Sequence, residues 1–329
     1  MQDSELFHPG ELAVQTRAGV REAVRKTGGV IRDRMVPGMH ALIERQIMLL
    51  CASLDREGNV WASLVQGEPG FVRVVDERTL DIARDPSRLD AEDPLWRNVS
   101  ADNRIGLLFI EFESRRRLRI NGTVSRTQPD RLTVTVQTCY PNCPKYIQRR
   151  QATGTWLENG RQAAREGHAL SAELAHTIGT TDTLFVASAH PDAGADVSHR
   201  GGHPGFVQVI DDTTLRIPDY AGNNLFNTLG NLQAYPHAGL LIPDFRSGQL
   251  IQLIGRPRIE WGRRYPRHTT GGTQRYWQLR IEAWRLTTLP AFPHWRFIDY
   301  SPHLPRDSEA DDHLSNPYSG SRKNLTQEV

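Results

Sequence analysis

The stretch DVSHRGGHPGFVQVIDDTTLRIPDYAGNN, Asp196 to Asn224, places a serine, an arginine and two glycines directly ahead of an apolar strand pattern. A shorter version, EPGFVRVVDERTL, occupies Glu68 to Leu80. Laying Pro69-Gly70-Phe71-Val72 on Pro204-Gly205-Phe206-Val207 takes a shift of 135 residues. The same shift carries Ala52-Ser53 onto Ala187-Ser188, Ser63 onto Ser198, Asp76 onto Asp211 and Thr79-Leu80 onto Thr214-Leu215. Further on the shift becomes 133, and Asn98 meets Asn231, Gly106-Leu107-Leu108 meets Gly239-Leu240-Leu241, and Gly122 meets Gly255. The change falls in the loop after each Thr-Leu strand, where length varies at little cost. Landmarks matched in one order read as a tandem duplication.

Each half then predicts the same elements. A helix precedes an apolar strand: Met39–Gln46 before Ile47–Leu54, and Ala172–Ile178, capped by Ser171, before Thr183–Ser188. Strands rich in β-branched residues follow, such as Phe71–Val75 and Phe206–Ile210. Then come a short helix, Pro94–Ser100 or Leu225–Ala234, and a strand pair, Ile105–Phe112 with Arg117–Val124 or Ala238–Ile242 with Leu250–Ile259. Arg131–Val136 adds a strand to the first half, and Tyr276–Leu286 is the expected final strand of the second. Short antiparallel strands with one helix tucked between them predict a small barrel per half. An N-terminal helix is expected over Glu11–Lys26, and a linker helix over Pro144–Gln151. The expected domains are residues 1–140, a linker at 141–170, residues 171–305, and a polar, flexible tail at 306–329.

Composition narrows the function classes. A net charge of +2 over 329 residues provides no overall field for nucleic acid or an anionic membrane. An anionic ligand therefore needs a local cluster, and Arg115, Arg116, Arg117 and Arg119 form one. Cys51, Cys139 and Cys143 are too few for a disulfide framework and read as reduced thiols of a cytoplasmic protein. No apolar signal core opens the sequence, and the longest apolar run, Ile47–Leu54, is too short to span a bilayer. His199 and His203, four apart on a strand or loop, are not aimed at one metal ion. No metal site is expected.

SHRGGHPGFVQVIDDTTLRIPDYAGNNLFNTLGNL (Ser198–Leu232) resembles the FMN-binding signature of the pyridoxamine 5′-phosphate oxidase-like family. RRRLRING (Arg115–Gly122) and CPKYIQRR (Cys143–Arg150) resemble motifs of its tandem, flavin-nucleotide-binding branch. The resemblance runs from about Phe7 to Leu286. It implies a mainly β fold with peripheral helices: two Greek-key split β-barrels of six strands each, joined as a pseudo-dimer. It also implies FMN at the seam between barrels, and a homodimer. The implied function is an FMN-dependent oxidoreductase passing hydride to or from a small-molecule substrate, with NAD(P)H as a candidate electron donor. The alternatives are a non-catalytic flavin, deazaflavin or haem-binding protein, and a ligand-free interaction module.

The residue chemistry fits a phosphoflavin. Ser198 offers a hydroxyl and Arg200 a guanidinium fork for phosphate oxygens. Gly201 and Gly202 allow close backbone approach. Asn223 and Asn224 precede a helix start, whose N–H groups favour an anion. The best-known enzymes of the family carry an Arg-Lys pair where this chain has Asn223-Asn224, which leaves two readings: Arg200 or an arginine of the first half supplies the charge, or FMN binding is weak or absent. The resemblance places Arg117 near the flavin ring. Lys145 could reach a phosphate, and Tyr146 could stack on a ring. The first half lacks the arginine of the Ser-His-Arg-Gly-Gly run, which predicts a site built mainly on the second half.

Overall fold

The computed structural model describes residues 6–262 and 267–305. Two antiparallel sheets dominate. The first contains β1 (Met48–Leu54), β2 (Val60–Gln66), β3 (Val72–Asp76), β4 (Thr79–Ala83), β5 (Arg104–Glu111), β6 (Arg116–Gln128) and β7 (Arg131–Asn142), in the order β2-β1-β5-β6-β7-β4-β3. After two linker strands, β8 (Arg149–Glu158) and β9 (Arg165–Gly167), comes the second sheet. It contains β10 (Thr183–His190), β11 (Gly194–Gly201), β12 (Gln208–Asp211), β13 (Thr214–Pro218), β14 (Ala238–Pro243), β15 (Gln249–Trp261) and β16 (Arg275–Thr288). Its order, β11-β10-β14-β15-β16-β13-β12, repeats the first strand for strand.

Each sheet curls around its own core. Val65 of β2 and Val72 of β3 stand at opposite ends of the first strand order, yet both join one cluster with Leu49, Leu107, Ile120 and Val134. The second sheet encloses a matching cluster around Val186, Leu215, Leu240, Leu253 and Trp277. A third cluster lies between the barrels. Met48, Leu50 and Ala52 of β1 and Ala62 and Leu64 of β2 pack there with Phe185, Ala187 and Ala189 of β10 and Val197 of β11. This explains why β1 and β10 are apolar without alternation: one face fills a barrel and the other the interface.

The matched landmarks do equivalent jobs. A Cβ on Gly106 of β5 would sit 2.8 Å from the Ala195 carbonyl oxygen on β11, and one on Gly239 of β14 would sit 2.4 Å from that of Val60 on β2. Only glycine lets these backbones meet. Between β4 and β5 lies α4 (Pro94–Ala101), which the numbering reaches after α1 (Pro9–Arg17), α2 (Arg21–Thr27) and α3 (Pro37–Glu44). Ahead of β10 lies α5 (Ala172–Gly179), and between β13 and β14 lies α6 (Asn227–Ala234). Asn98 of α4 donates to Ser53 Oγ at 3.0 Å, and Asn231 of α6 donates to Ser188 Oγ at 3.0 Å. Each bond ties a helix to the strand it covers.

The structure corrects four expectations. The first sheet has seven strands and the second eight rather than six, because the hairpins β3-β4 and β12-β13 each add two strands to a long strand, and β9 also pairs with β16. The expected linker helix at Pro144–Gln151 is a turn leading into β8. Proline at a helix start is sound local grammar, but pairing with a distant strand, β17 (Ala291–Asp299), decides the conformation, and Gly154 in β8 sits at φ +79°. That same β17 follows the strand expected to be last and pairs outside the second barrel, so residues 171–305 hold more than a barrel. The N-terminal helix is two helices, α1 and α2, broken where Gly19 adopts φ +70°. The tail expected at 306–329 lies outside the described residues. No helix among the described residues is long and apolar enough to cross a membrane.

Candidate functional site

An open cleft of about 780 Å³, mouth included, lies where the two barrels meet. Its first wall is the outer face of β6, where alternation brings Arg117 and Arg119 to one side, together with Asn142, Cys143, Lys145 and Tyr146 of the loop after β7. Its second wall is the end of β11, Ser198 to Gly201, with Asp219, Tyr220, Asn223 and Asn224 after β13 and the first turn of α6. Eight of the nine sequence-predicted residues line it: Ser198, Arg200, Gly201, Asn223, Asn224, Arg117, Lys145 and Tyr146.

The ninth, Gly202, stands behind the wall. Its N–H donates to the Asp182 carbonyl at 3.1 Å, and a Cβ there would lie 2.3 Å from the Phe206 ring. Gly201 also has a task apart from ligand approach. Its Cβ would lie 2.1 Å from the Tyr146 carbonyl oxygen, so glycine lets the loop after β7 rest on β11.

Arg117 clamps that loop. Its Nε donates to the Cys143 carbonyl at 2.9 Å, and Nη2 donates to the Lys145 carbonyl at 2.6 Å. Burial, with Arg119 and Arg200 nearby, brings its pKa down to about 10, so it stays charged at neutral pH. Its Nη1 faces His199 Nδ1 at 3.4 Å. Burial first, then the surrounding arginines, holds His199 well below its ordinary pKa, and the ring is neutral. With Nδ1 facing a guanidinium, the proton sits on Nε2, which has no hydrogen-bond partner among the described residues.

Arg119 was absent from the predicted set although it belongs to the same run of arginines. It is the most embedded cation of the cleft, 5% exposed. Its Nε lies 3.0 Å from Asp196 Oδ1, Nη1 donates to Tyr140 Oη at 3.0 Å and to Asn227 Oδ1 at 3.2 Å, and Nη2 donates to Ser198 Oγ. Ser198 Oγ also meets Thr228 Oγ1 of α6 at 2.7 Å. Alternation with Arg117 was the signal that could have found Arg119. Asp196 and Asn227, its partners across the seam, carry no such signal.

Arg200 is half-buried and only loosely paired. Asp219 Oδ1 lies 4.0 Å away, while Asp219 Oδ2 accepts from Arg275 Nε at 2.9 Å. Arg200 Nε has no hydrogen-bond partner among the described residues. Asn223 shapes the approach to α6: its Oδ1 accepts from the Leu225 N–H at 3.1 Å and its Nδ2 donates to Asn142 Oδ1 at 3.3 Å. Asn224 adopts φ +61°. The helix starts at Asn227, later than expected, and its first turn still lines the cleft. Tyr146 donates to the Ala221 carbonyl at 2.8 Å, and its ring centroid lies 5.0 Å from that of Tyr220. Arg117, Arg119 and Lys145 thus face Arg200, Asp219 and a helix N-terminus across a space with aromatic side chains, an arrangement that favours an anion attached to a flat ring.

The equivalent crevice on the other side of the interface is filled by the chain itself. Matching register pairs put Gln66 where the cleft has Gly201, and Gln252 where it has Arg119. Gln66 Nε2 donates to the carbonyls of Arg88, at 2.6 Å, and of Ala291. Gln252 Nε2 donates to the Ala62 carbonyl at 2.9 Å and to Asp93 Oδ2 at 3.0 Å. Ser63 donates to Asp93 Oδ1 at 2.6 Å, and buried Arg285 pairs with Asp90 at 2.5 Å.

Residues 35–138, the body of the first barrel, match the family model for pyridoxamine 5′-phosphate oxidase, as the resemblance in sequence implies. Among solved structures, the chain is similar to a Lactobacillus delbrueckii protein provisionally named a pyridoxamine 5′-phosphate oxidase, at 14% identity over 36% of this chain and 94% of that one, with a TM-score of 0.30. A FAD-binding protein of Mesorhizobium loti matches at 13% identity over 38% of this chain and 99% of that one, TM-score 0.25. An FMN-binding, pyridoxamine 5′-phosphate oxidase-related protein of Nostoc punctiforme matches at 10% identity over 37% and 83%, TM-score 0.24. No curated protein matches the chain.

The cleft also makes a prediction about thiol chemistry. Burial pushes the Cys139 thiol up to about 12 and Cys51 higher still, so neither supplies thiolate at neutral pH. Cys143 is half-buried at the cleft edge. An aromatic disulfide reagent should titrate one thiol in the native protein and three after denaturation, and peptide mapping should place the native label on Cys143.

Proposed function

We propose that the chain is a tandem-duplicated flavoprotein that binds one FMN in the seam cleft and works as an oxidoreductase on a small molecule. The observation that carries this reading is the cleft itself: Arg117, Arg119, Lys145 and Arg200 beside Asp219, with tyrosines and a helix N-terminus. The unpartnered Arg200 Nε, the unpartnered His199 Nε2 and the first turn of α6 are donors that suit the oxygens and ring acceptors of such a ligand. Bound flavin supplies hydride acceptance and delivery, with NAD(P)H as the candidate donor. The chain's residues position it. Arg200 and the α6 N-terminus hold the phosphate, while Arg119 orients the Ser198 hydroxyl through a direct hydrogen bond. Arg117 fixes the loop carrying Lys145 and Tyr146, so both barrels contribute to one site.

The absorbance spectrum of the protein as purified tests this directly. A band near about 450 nm that bleaches anaerobically with NADPH or NADH supports the oxidoreductase. Colourless protein that takes up no added FMN refutes it. Arg200→Ala should weaken FMN by about 1.5–3 kcal/mol, the worth of a charge-assisted hydrogen bond, whereas exposed Arg116→Ala should change little. Calorimetric titration of both variants measures the difference, and equal effects would contradict the assignment.

A further inference from the structure

A second chamber opens on the far side of Arg119 from the cleft, between α1, the start of β11 and the outer face of β6 and β7. Its polar lining is unlike that of the cleft. Glu11 and Asp196 are buried there and His8 is half-buried, with Asn121 at the wall. The orientation of His8 can be worked out from its neighbours. Asn231 Nδ2 donates to Ser188 Oγ, so Asn231 presents Oδ1 to His8 Nε2 at 2.9 Å. Nε2 therefore carries the proton, and Nδ1 is a bare acceptor. That Nδ1 has no partner among the described residues, and neither does Asn121 Oδ1, while the buried Asp196 carboxylate has beside it the Asn121 amide and the Val197 N–H.

Every one of these orphaned atoms accepts a hydrogen bond. A buried acceptor without a partner is costly, so the chamber calls for a donor. Charge points the same way. Asp196 and Glu11 face one cation, Arg119, and burial lifts the Glu11 carboxyl to about 7. The groups around Glu11 are His8, backed by the tilted ring of His190, together with Asn227, Arg119, Asp196 and Tyr140. With Glu11 ionised the group carries an excess negative charge. Among the described residues no three His, Cys, Asp or Glu side chains are grouped to hold a metal ion. Leu6, Phe7 and Ile31 give the chamber an apolar rim.

We propose that this chamber is a second binding site, for a protonated primary amine carrying a compact apolar tail. The ammonium donates to Asp196, Asn121 and His8, and the tail lies on Leu6, Phe7 and Ile31. The site is separate from the flavin reading, since none of its orphaned acceptors depends on the ligand in the cleft.

Calorimetric titration of the purified protein with n-propylammonium chloride, at constant ionic strength, tests the site through heat alone and needs no flavin signal. Tetramethylammonium, which has charge but no N–H, and K⁺ are the controls. Saturable heat is expected with propylammonium only. Glu11 is neutral below its pKa of about 7 and charged above it, so affinity should rise between about pH 6 and about pH 8. Glu11→Gln should bind about tenfold more weakly at about pH 8 and lose the pH dependence. Asn121→Leu should weaken binding as well, in a side chain that titrates nowhere. Absence of saturable heat, equal heat with tetramethylammonium or K⁺, or undiminished binding in both variants would overturn the proposal.

Discussion

Arg119→Met should remove about 3–5 kcal/mol of unfolding free energy, the usual consequence of stranding a buried charge. The side chain is almost fully enclosed, and its departure leaves Asp196, 2% exposed, without its cation. Three further acceptors lose a donor at the same time: Tyr140 Oη, Asn227 Oδ1 and Ser198 Oγ. These sit on β7, α6 and β11, so the damage spreads across both barrels. Urea denaturation of the single variants and of Arg119→Met/Asp196→Leu separates the causes. The double variant should recover a good part of the loss, because it removes the orphaned charge along with its partner. A single variant within about 1 kcal/mol of the parent would mean that Asp196 is already neutral or solvated.

The second large effect concerns occupancy. FMN titration of the parent should saturate at one per chain, since Gln66, Gln252 and Arg285 already fill the equivalent crevice. Gly201→Gln copies into the open cleft the residue that stands at the same register in the filled one. Its Cβ alone would meet the Tyr146 carbonyl oxygen at 2.1 Å, so the loop bearing Lys145 and Tyr146 must move. Overpacking of this kind costs about 1–3 kcal/mol, which corresponds to roughly fivefold to 150-fold in FMN affinity if it falls on the bound state. Fluorescence quenching of FMN gives both the stoichiometry and the affinity, and circular dichroism shows whether the variant is folded. Two flavins per parent chain, or unchanged affinity in Gly201→Gln, would contradict this account.

Much of the architecture could be read from residue order because the two halves carry the same landmarks. Gly106 and Gly239, or Asn98 and Asn231, mark places where geometry tolerates one residue type, so they stay aligned where the surrounding sequence has drifted. The linker could not be read in this way. Pro144 through Gln151 obeys helix rules locally, while β8 is fixed by β17, more than a hundred residues later. The same limit applies to the site. Ser198, Arg200 and the Asn pair lie in one window and were found together. Asp196 was inside that window too, but its role depends on Arg119 reaching across from β6. Gly201 lines the cleft, and its closest neighbour is the chain's own loop.

The filled crevice has a consequence for how such a molecule can change. In a dimer of identical chains, one codon sets both interfacial sites, so a glutamine that closes one closes the other. Here Gln66 and Gly201 are encoded separately. Covalent linkage therefore lets one side become a permanent fastening between the barrels while its counterpart stays free to specialise.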